Sequence, residues 1–141
     1  MTKSAPLSTK SSAADQITKL VKLLMDGFAQ QNAELFASAF SINADCIIRD
    51  GTHLNGKKSI QETHARIFSS IYKEGTRSRY EIESLRFLAP KVSLVRLKGH
   101  MEFSSEGKTA ALNGRISLVT TLEDDQWLIQ LFQNTSVMTT T

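Results

Sequence analysis

The chain has 141 residues and 15.6 kDa, the length of one domain. A chain of this size buries roughly 68–70% of its unfolded surface and folds without disulfides. With 40% apolar and 22% charged residues, it is not collagen-like, membrane-spanning or wholly disordered. Net charge is +3, and Lys3 and Lys10 carry two of those charges, so the remainder is close to neutral. The pI of about 9.1 comes with no basic block, because acids interleave throughout; no nucleic-acid partner is expected. Cys46 is the single cysteine, which excludes an intrachain disulfide and a Cys-rich zinc site. It is expected as a small buried apolar residue in a strand. There is no apolar run long enough to span a membrane and no secretory leader pattern, so a soluble, cytoplasmic protein is expected.

Residues 1–14 are small, polar and aperiodic and read as a disordered arm. A single domain is expected over 15–137, with 138–141 as a tail. Asp15 is the expected cap of a first helix, along which Ile17, Leu20, Val21, Leu24 and Phe28 form one apolar stripe. Asn32 caps a short second helix holding Leu35, Phe36, Ala39 and Phe40. Residues 44–50 read as a strand, followed by a turn-rich stretch with Asp50, Gly51, His53 and Gly56. A third helix runs from Lys57 to about Tyr72, with Ile60, His64, Ile67, Phe68 and Ile71 on one side, and Gly75 stops it.

Beyond Gly75 the apolar period changes to two. Strands are expected over 77–88, 92–103, 109–123 and 126–137, joined by short turns into an antiparallel meander. A turn centred on Glu106 and Gly107 sets Gly99 opposite Gly114, with Leu97–Ile116 and Val95–Leu118 on the same buried face. A turn at Asp124 and Asp125 then sets Leu118 opposite Leu131, Ile116 opposite Gln133 and Gly114 opposite Thr135. The first hairpin turns either one residue before or at Pro90–Lys91, and both registers put Tyr80 and Ile82 on the buried face. The glycine pair leaves room above the sheet or lets it bend. The other face mixes charge with Leu85, Phe87, Leu94, Val119, Leu128 and Phe132, a pattern that suits a homodimer interface.

The segments FAQQNAELFASAF, ADCIIRDGTHLNGKKSI, THARIF and DDQWLIQLFQNTSV, in this order, resemble the nuclear transport factor 2-like superfamily, closest to the SgcJ/EcaC branch of its SnoaL-like group. Gly56 to Ile60 resembles that family's glycine-led third helix, and Gln133-Asn134-Thr135 its polar-Asn-Thr ending. The resemblance implies an α+β, cone-shaped fold, three helices in the N-terminal half packed on a curved, mainly antiparallel sheet. That fold hosts isomerases, dehydratases, cyclases, hydrolases and assembly domains, so it does not set the activity. The base Asp of ketosteroid isomerases would fall near Asp50, but their Tyr falls near Met25 and their second acid near Leu118. The paired histidines of scytalone dehydratase have no counterpart.

His64 and Asp50 are therefore the candidate catalytic residues, and Tyr80, Gln133 and His64 the candidate ligand contacts. An inward His can do acid–base work or simply be hydrogen-bonded in the core; Asp50 can act as a base or bend its turn. No His, Asp, Glu or Cys grouping has metal spacing, and no phosphate loop or nucleophile motif is present, so neither metal nor cofactor is expected. The sequence points to a homodimer with a small, mostly apolar pocket for an organic molecule. The alternative is an assembly domain with a vestigial pocket, as in the association domain of calmodulin-dependent kinases.

Overall fold

A computed structural model describes residues 12–73 and 75–138. Most of the expected arm, and the tail beyond Met138, lie outside the described residues. Helix α1 (Ala13–Gln30) starts three residues before the expected point. Its cap is Ser12, whose hydroxyl accepts from the Asp15 amide at 3.1 Å, while Asp15 itself lies in the first turn. Gln31 in the left-handed region ends it, and Asn32 caps α2 (Ala33–Ala37) by accepting from the Leu35 amide at 2.9 Å. Phe40 begins strand β1 (Phe40–Ile47) rather than extending α2. The turn-rich stretch contains a short strand, β2 (His53–Asn55), antiparallel to β1. Helix α3 (Lys57–Ser70) follows, then the long strands β3 (Arg77–Ala89), β4 (Val92–Ser105), β5 (Lys108–Glu123) and β6 (Gln126–Ser136).

The six strands form one sheet in the order β2-β1-β6-β5-β4-β3, antiparallel except where β1 lies parallel to β6. The three helices cover one face, as the α+β reading expects. The apolar stripe of α1 is buried there with Phe36, Phe40, Ile60, Phe68, Leu97, Ile116, Leu118 and Ile129. Both expected two-residue turns form. Glu106 and Gly107 have positive φ, as do Asp124 and Asp125, the backbone hand that matches strand twist. Gly99 faces Gly114. The first hairpin turns at Pro90–Lys91, and two irregularities in β3 then bring Tyr80 opposite Gly99.

Irregularities in the strands correct three expectations. Gln130 is an extra residue in β6, so Thr120 pairs with Ile129 but Val119 pairs with Leu131. Beyond it every β6 side chain changes face, because side-chain direction alternates residue by residue. Phe132 turns into the core opposite Leu118, and Gln133 and Thr135 turn to the exposed face. Between its two irregularities β3 likewise sets Leu85 opposite Val95 and Phe87 opposite Ser93, on the helix side. Phe87 there meets the Trp127 ring edge-on at 5.8 Å. Half of the expected outer apolar set, Leu85, Phe87 and Phe132, is therefore not on the outer face. Leu94, Val119 and Leu128 remain there, and Leu131 joins them, all half-buried. Glu83 bridges Arg115 at 2.9 Å and Lys98 at 3.8 Å on that same face.

Gly27 lets α2 close on α1. A Cβ there would stand 2.7 Å from the Phe36 Cβ and 2.9 Å from its Cα, closer than packed carbon atoms approach. Since backbone must move to admit it, Gly27→Ala is expected to cost about 1–3 kcal/mol. Urea denaturation measures this, and an unchanged midpoint would show that the helices separate without cost.

Candidate functional site

A cavity of about 170 Å³ lies between α1, α3 and the inner sheet face. Its walls are mainly apolar, with Phe28, Phe36, Ile67 and Phe132 among them. His64, Tyr80 and Asn134 supply its inner polar groups, and Arg49 and Asp50 stand at its rim. Three of the four sequence candidates, His64, Asp50 and Tyr80, therefore border one space. Gln133 does not, and Asn134 occupies the inward position beside it.

Helix geometry aims His64 inward, one turn after Ile60 and one turn before Phe68. It is 3% exposed, and its ring stacks on Phe36 at 4.1 Å. Nδ1 lies 2.8 Å from the Ile60 carbonyl oxygen. A carbonyl can only accept, so Nδ1 carries the proton and Nε2 presents a lone pair. Burial pushes the imidazole down to about 4, against the opposite pull of the Ile60 carbonyl. The ring is thus neutral at physiological pH.

Asp50 is in a different state. Its Oδ1 accepts from the Thr52 amide at 2.9 Å, and the carboxylate is solvated. The Thr52 hydroxyl and amide hold the carboxyl below its usual range. This is the turn-bending arrangement, and it leaves an ionised group in water. Arg49, one residue earlier, reaches across the rim. Its Nη1 donates to the Asn113 carbonyl and to Ser136 Oγ, both at 3.3 Å.

The opposed glycines do not leave an empty hollow. Tyr80 lies over Gly99, with ring carbons 3.4 Å from where a Cβ would stand, and Ile116 is closer still. The Asn134 carboxamide lies over Gly114 and would collide with a Cβ there. Each glycine thus seats one polar residue of the cavity. Burial raises the Tyr80 phenol to about 12, outweighing the neighbouring Ser78 hydroxyl and the Arg49 charge. Asn134 Oδ1 is buried and makes no hydrogen bond within the described residues; Ser78 Oγ is the other such atom. Sequence reasoning missed Asn134 because the bulge at Gln130 has no signature in the apolar pattern. It missed Arg49 because a cation at a strand end reads as surface.

Cys46 is buried on the inner face, its thiol pushed up to about 12 by desolvation, and so is unreactive. Met25 offers no acid; its sulfur accepts from the Tyr80 amide at 3.3 Å. Leu118 is wholly enclosed in the core. Among the described residues no group of three or more His, Cys, Asp or Glu stands together, and no helix is long and apolar enough to cross a membrane.

No family model matches the chain, and no curated protein does. Solved structures do. A domain of unknown function with a cystatin-like fold from Nostoc punctiforme is 29% identical, with TM-score 0.81 over 92% of this chain and 81% of that one. A protein provisionally named a dehydratase of the nuclear transport factor 2-like family, from Streptomyces avermitilis, is 12% identical, with TM-score 0.72 over 89% of this chain and 97% of that one. The fold is nuclear transport factor 2-like. A third structure with this fold, provisionally named a calcium/calmodulin-dependent protein kinase II association domain, comes from Xanthomonas campestris. It is 12% identical, with TM-score 0.76 over 92% of this chain and 91% of that one.

Because the folded-state imidazole lies below its ordinary 6.5, the unfolded chain binds the His64 proton first. That contribution to stability is complete above pH 6.5 and is lost as pH falls toward 4, by about 3 kcal/mol. NMR titration should give a folded-state pKa near 4 with the proton on Nδ1, and His64→Phe should flatten stability over this interval. A ring titrating near 6.5 would contradict the burial.

Proposed function

We propose that this chain is a small-molecule-binding domain of the SnoaL-like group, in its SgcJ/EcaC branch, acting as a cytoplasmic homodimer. The observation that carries the reading is the apolar cavity of about 170 Å³ bordered by the Asn134 side chain and a neutral His64. Drug-sized sites run from roughly 300 Å³, whereas a dry cavity of about 150 Å³ holds a benzene ring. The ligand is accordingly a single ring or a branched molecule of that size.

The site favours binding over proton transfer. An imidazole held near 4 is a weak base at neutral pH, and Asp50 is solvated at the rim. Ligand-observed NMR against phenol and other single-ring compounds tests the reading. Binders should shift the His64 ring and Asn134 amide resonances, and Ile67→Trp should fill the space and abolish the shifts without unfolding. A library in which no compound moves these signals would overturn it.

Leu94, Val119, Leu128 and Leu131 support pairing through the outer sheet face. Light scattering should give twice the chain mass, and Leu131→Glu should give the single mass, because an unpaired carboxylate is costly to bury. A wild-type monomer at the highest soluble concentration would refute the homodimer. A second reading, an assembly domain with a vestigial cavity, draws on the small volume. It predicts that no compound moves the His64 or Asn134 signals.

A further inference from the structure

We propose that the ligand is a single-ring hydroxycarboxylate, its carboxylate at Arg49 and its hydroxyl donating inward to His64. This rests on the reading that the cavity binds a small molecule and adds the ligand's chemical class. The argument starts from which hydrogen-bonding roles remain open. Inside, His64 offers an acceptor while the neutral Tyr80 phenol and the Asn134 carboxamide carry donors, so the interior suits a hydroxyl, which donates and accepts at once. His64 Nδ1–H is spent on the Ile60 carbonyl, leaving the Nε2 lone pair. Asn134 Oδ1 is turned onto Gly114 and closed off from the cavity, so it is not one of these roles. A buried acceptor left unpaired is costly, so a ligand that brings an O–H is favoured over one that does not.

At the rim the open role is a cation. Arg49 is the only Lys or Arg lining the cavity, and it forms no ion pair among the described residues. Both its hydrogen bonds leave from Nη1 and run to neutral oxygens, which fixes the guanidinium while keeping its charge uncompensated. A planar guanidinium matches the two oxygens of a carboxylate. Asp50 is the one acid at this rim among the described residues; its Oδ1 is held by the Thr52 amide, and solvent screens its repulsion. Between the polar interior and the cationic rim the walls are aromatic and aliphatic, with Phe28, Phe36 and Phe132 suited to a ring. The volume admits one ring and not two.

Calorimetric titration with four probes separates this inference from the reading it rests on. The probes are 4-hydroxybenzoate, 4-hydroxybenzamide, benzoate and phenol. Wild type should bind 4-hydroxybenzoate at least about tenfold more tightly than 4-hydroxybenzamide and than benzoate, a charge-assisted and a buried hydrogen bond respectively. Arg49→Gln should erase the first preference, and His64→Phe the second. Phenol affinity should be unchanged in Arg49→Gln, which shows that the variant keeps its cavity. Equal binding of phenol, benzoate and 4-hydroxybenzoate would overturn the hydroxycarboxylate while leaving a binding cavity. Preferences that survive Arg49→Gln would overturn the role of Arg49. Binding of none of the four would overturn both.

Discussion

One extra residue in the last strand decides what the cavity contains. Gln130 breaks the pairing of β6 with β5, and everything after it changes face. With regular pairing Leu131 and Gln133 would face the helices, and Phe132 and Asn134 would face out. With the bulge, Phe132 closes the cavity wall beside Phe36, their rings 6.4 Å apart edge-on, and Asn134 enters over Gly114. The distortion is held in place. The Gln130 carboxamide donates to Thr121 Oγ1 at 2.8 Å and to the Glu123 carboxylate, and Ser41 donates to the same carboxylate. Bulges of this kind commonly re-aim side chains next to functional sites.

The electrostatics of the cavity follow from depth. His64 and Tyr80 lie where water does not compensate charge, and both are held neutral. Arg49 and Asp50 lie where water reaches, and both stay ionised. A gradient from neutral polar groups to a fixed cation is therefore built over one small space. The helix side is made rigid by aromatic packing, with Phe28 edge-on to Phe36 at 5.6 Å and to Phe68 at 5.0 Å around the His64 ring. A ligand entering such a site meets side chains already in position, and preorganised groups lose little entropy on binding.

The fold was legible because its signals repeat. The α1 stripe, the cap at Asn32 and the two-residue turns at Glu106–Gly107 and Asp124–Asp125 each agree with the helix-then-meander order. The Gly99–Gly114 pairing followed from turn geometry alone. The site was legible only in part. His64 lies on a helix whose period is unbroken, and Tyr80 keeps its face because the two irregularities of β3 cancel. Gln133 lies past a bulge, and alternation carries no information across an unseen insertion. The same failure moved Phe87 and Phe132 off the outer face. The cap at Ser12 was missed because it sits in a polar segment where several Ser and Thr residues could serve equally.

The end of β6 is part of the rim. Ser136 accepts from Arg49, and the next residue, Val137, donates its amide to the same Asn113 carbonyl that Arg49 uses, at 3.0 Å. The guanidinium is thus laced to the last residues of the strand. For anyone handling the protein this is a practical matter. An acidic side chain introduced at Val137 would stand next to the cation at the cavity entrance and compete for it, so substitutions for ligand work are better kept away from this position.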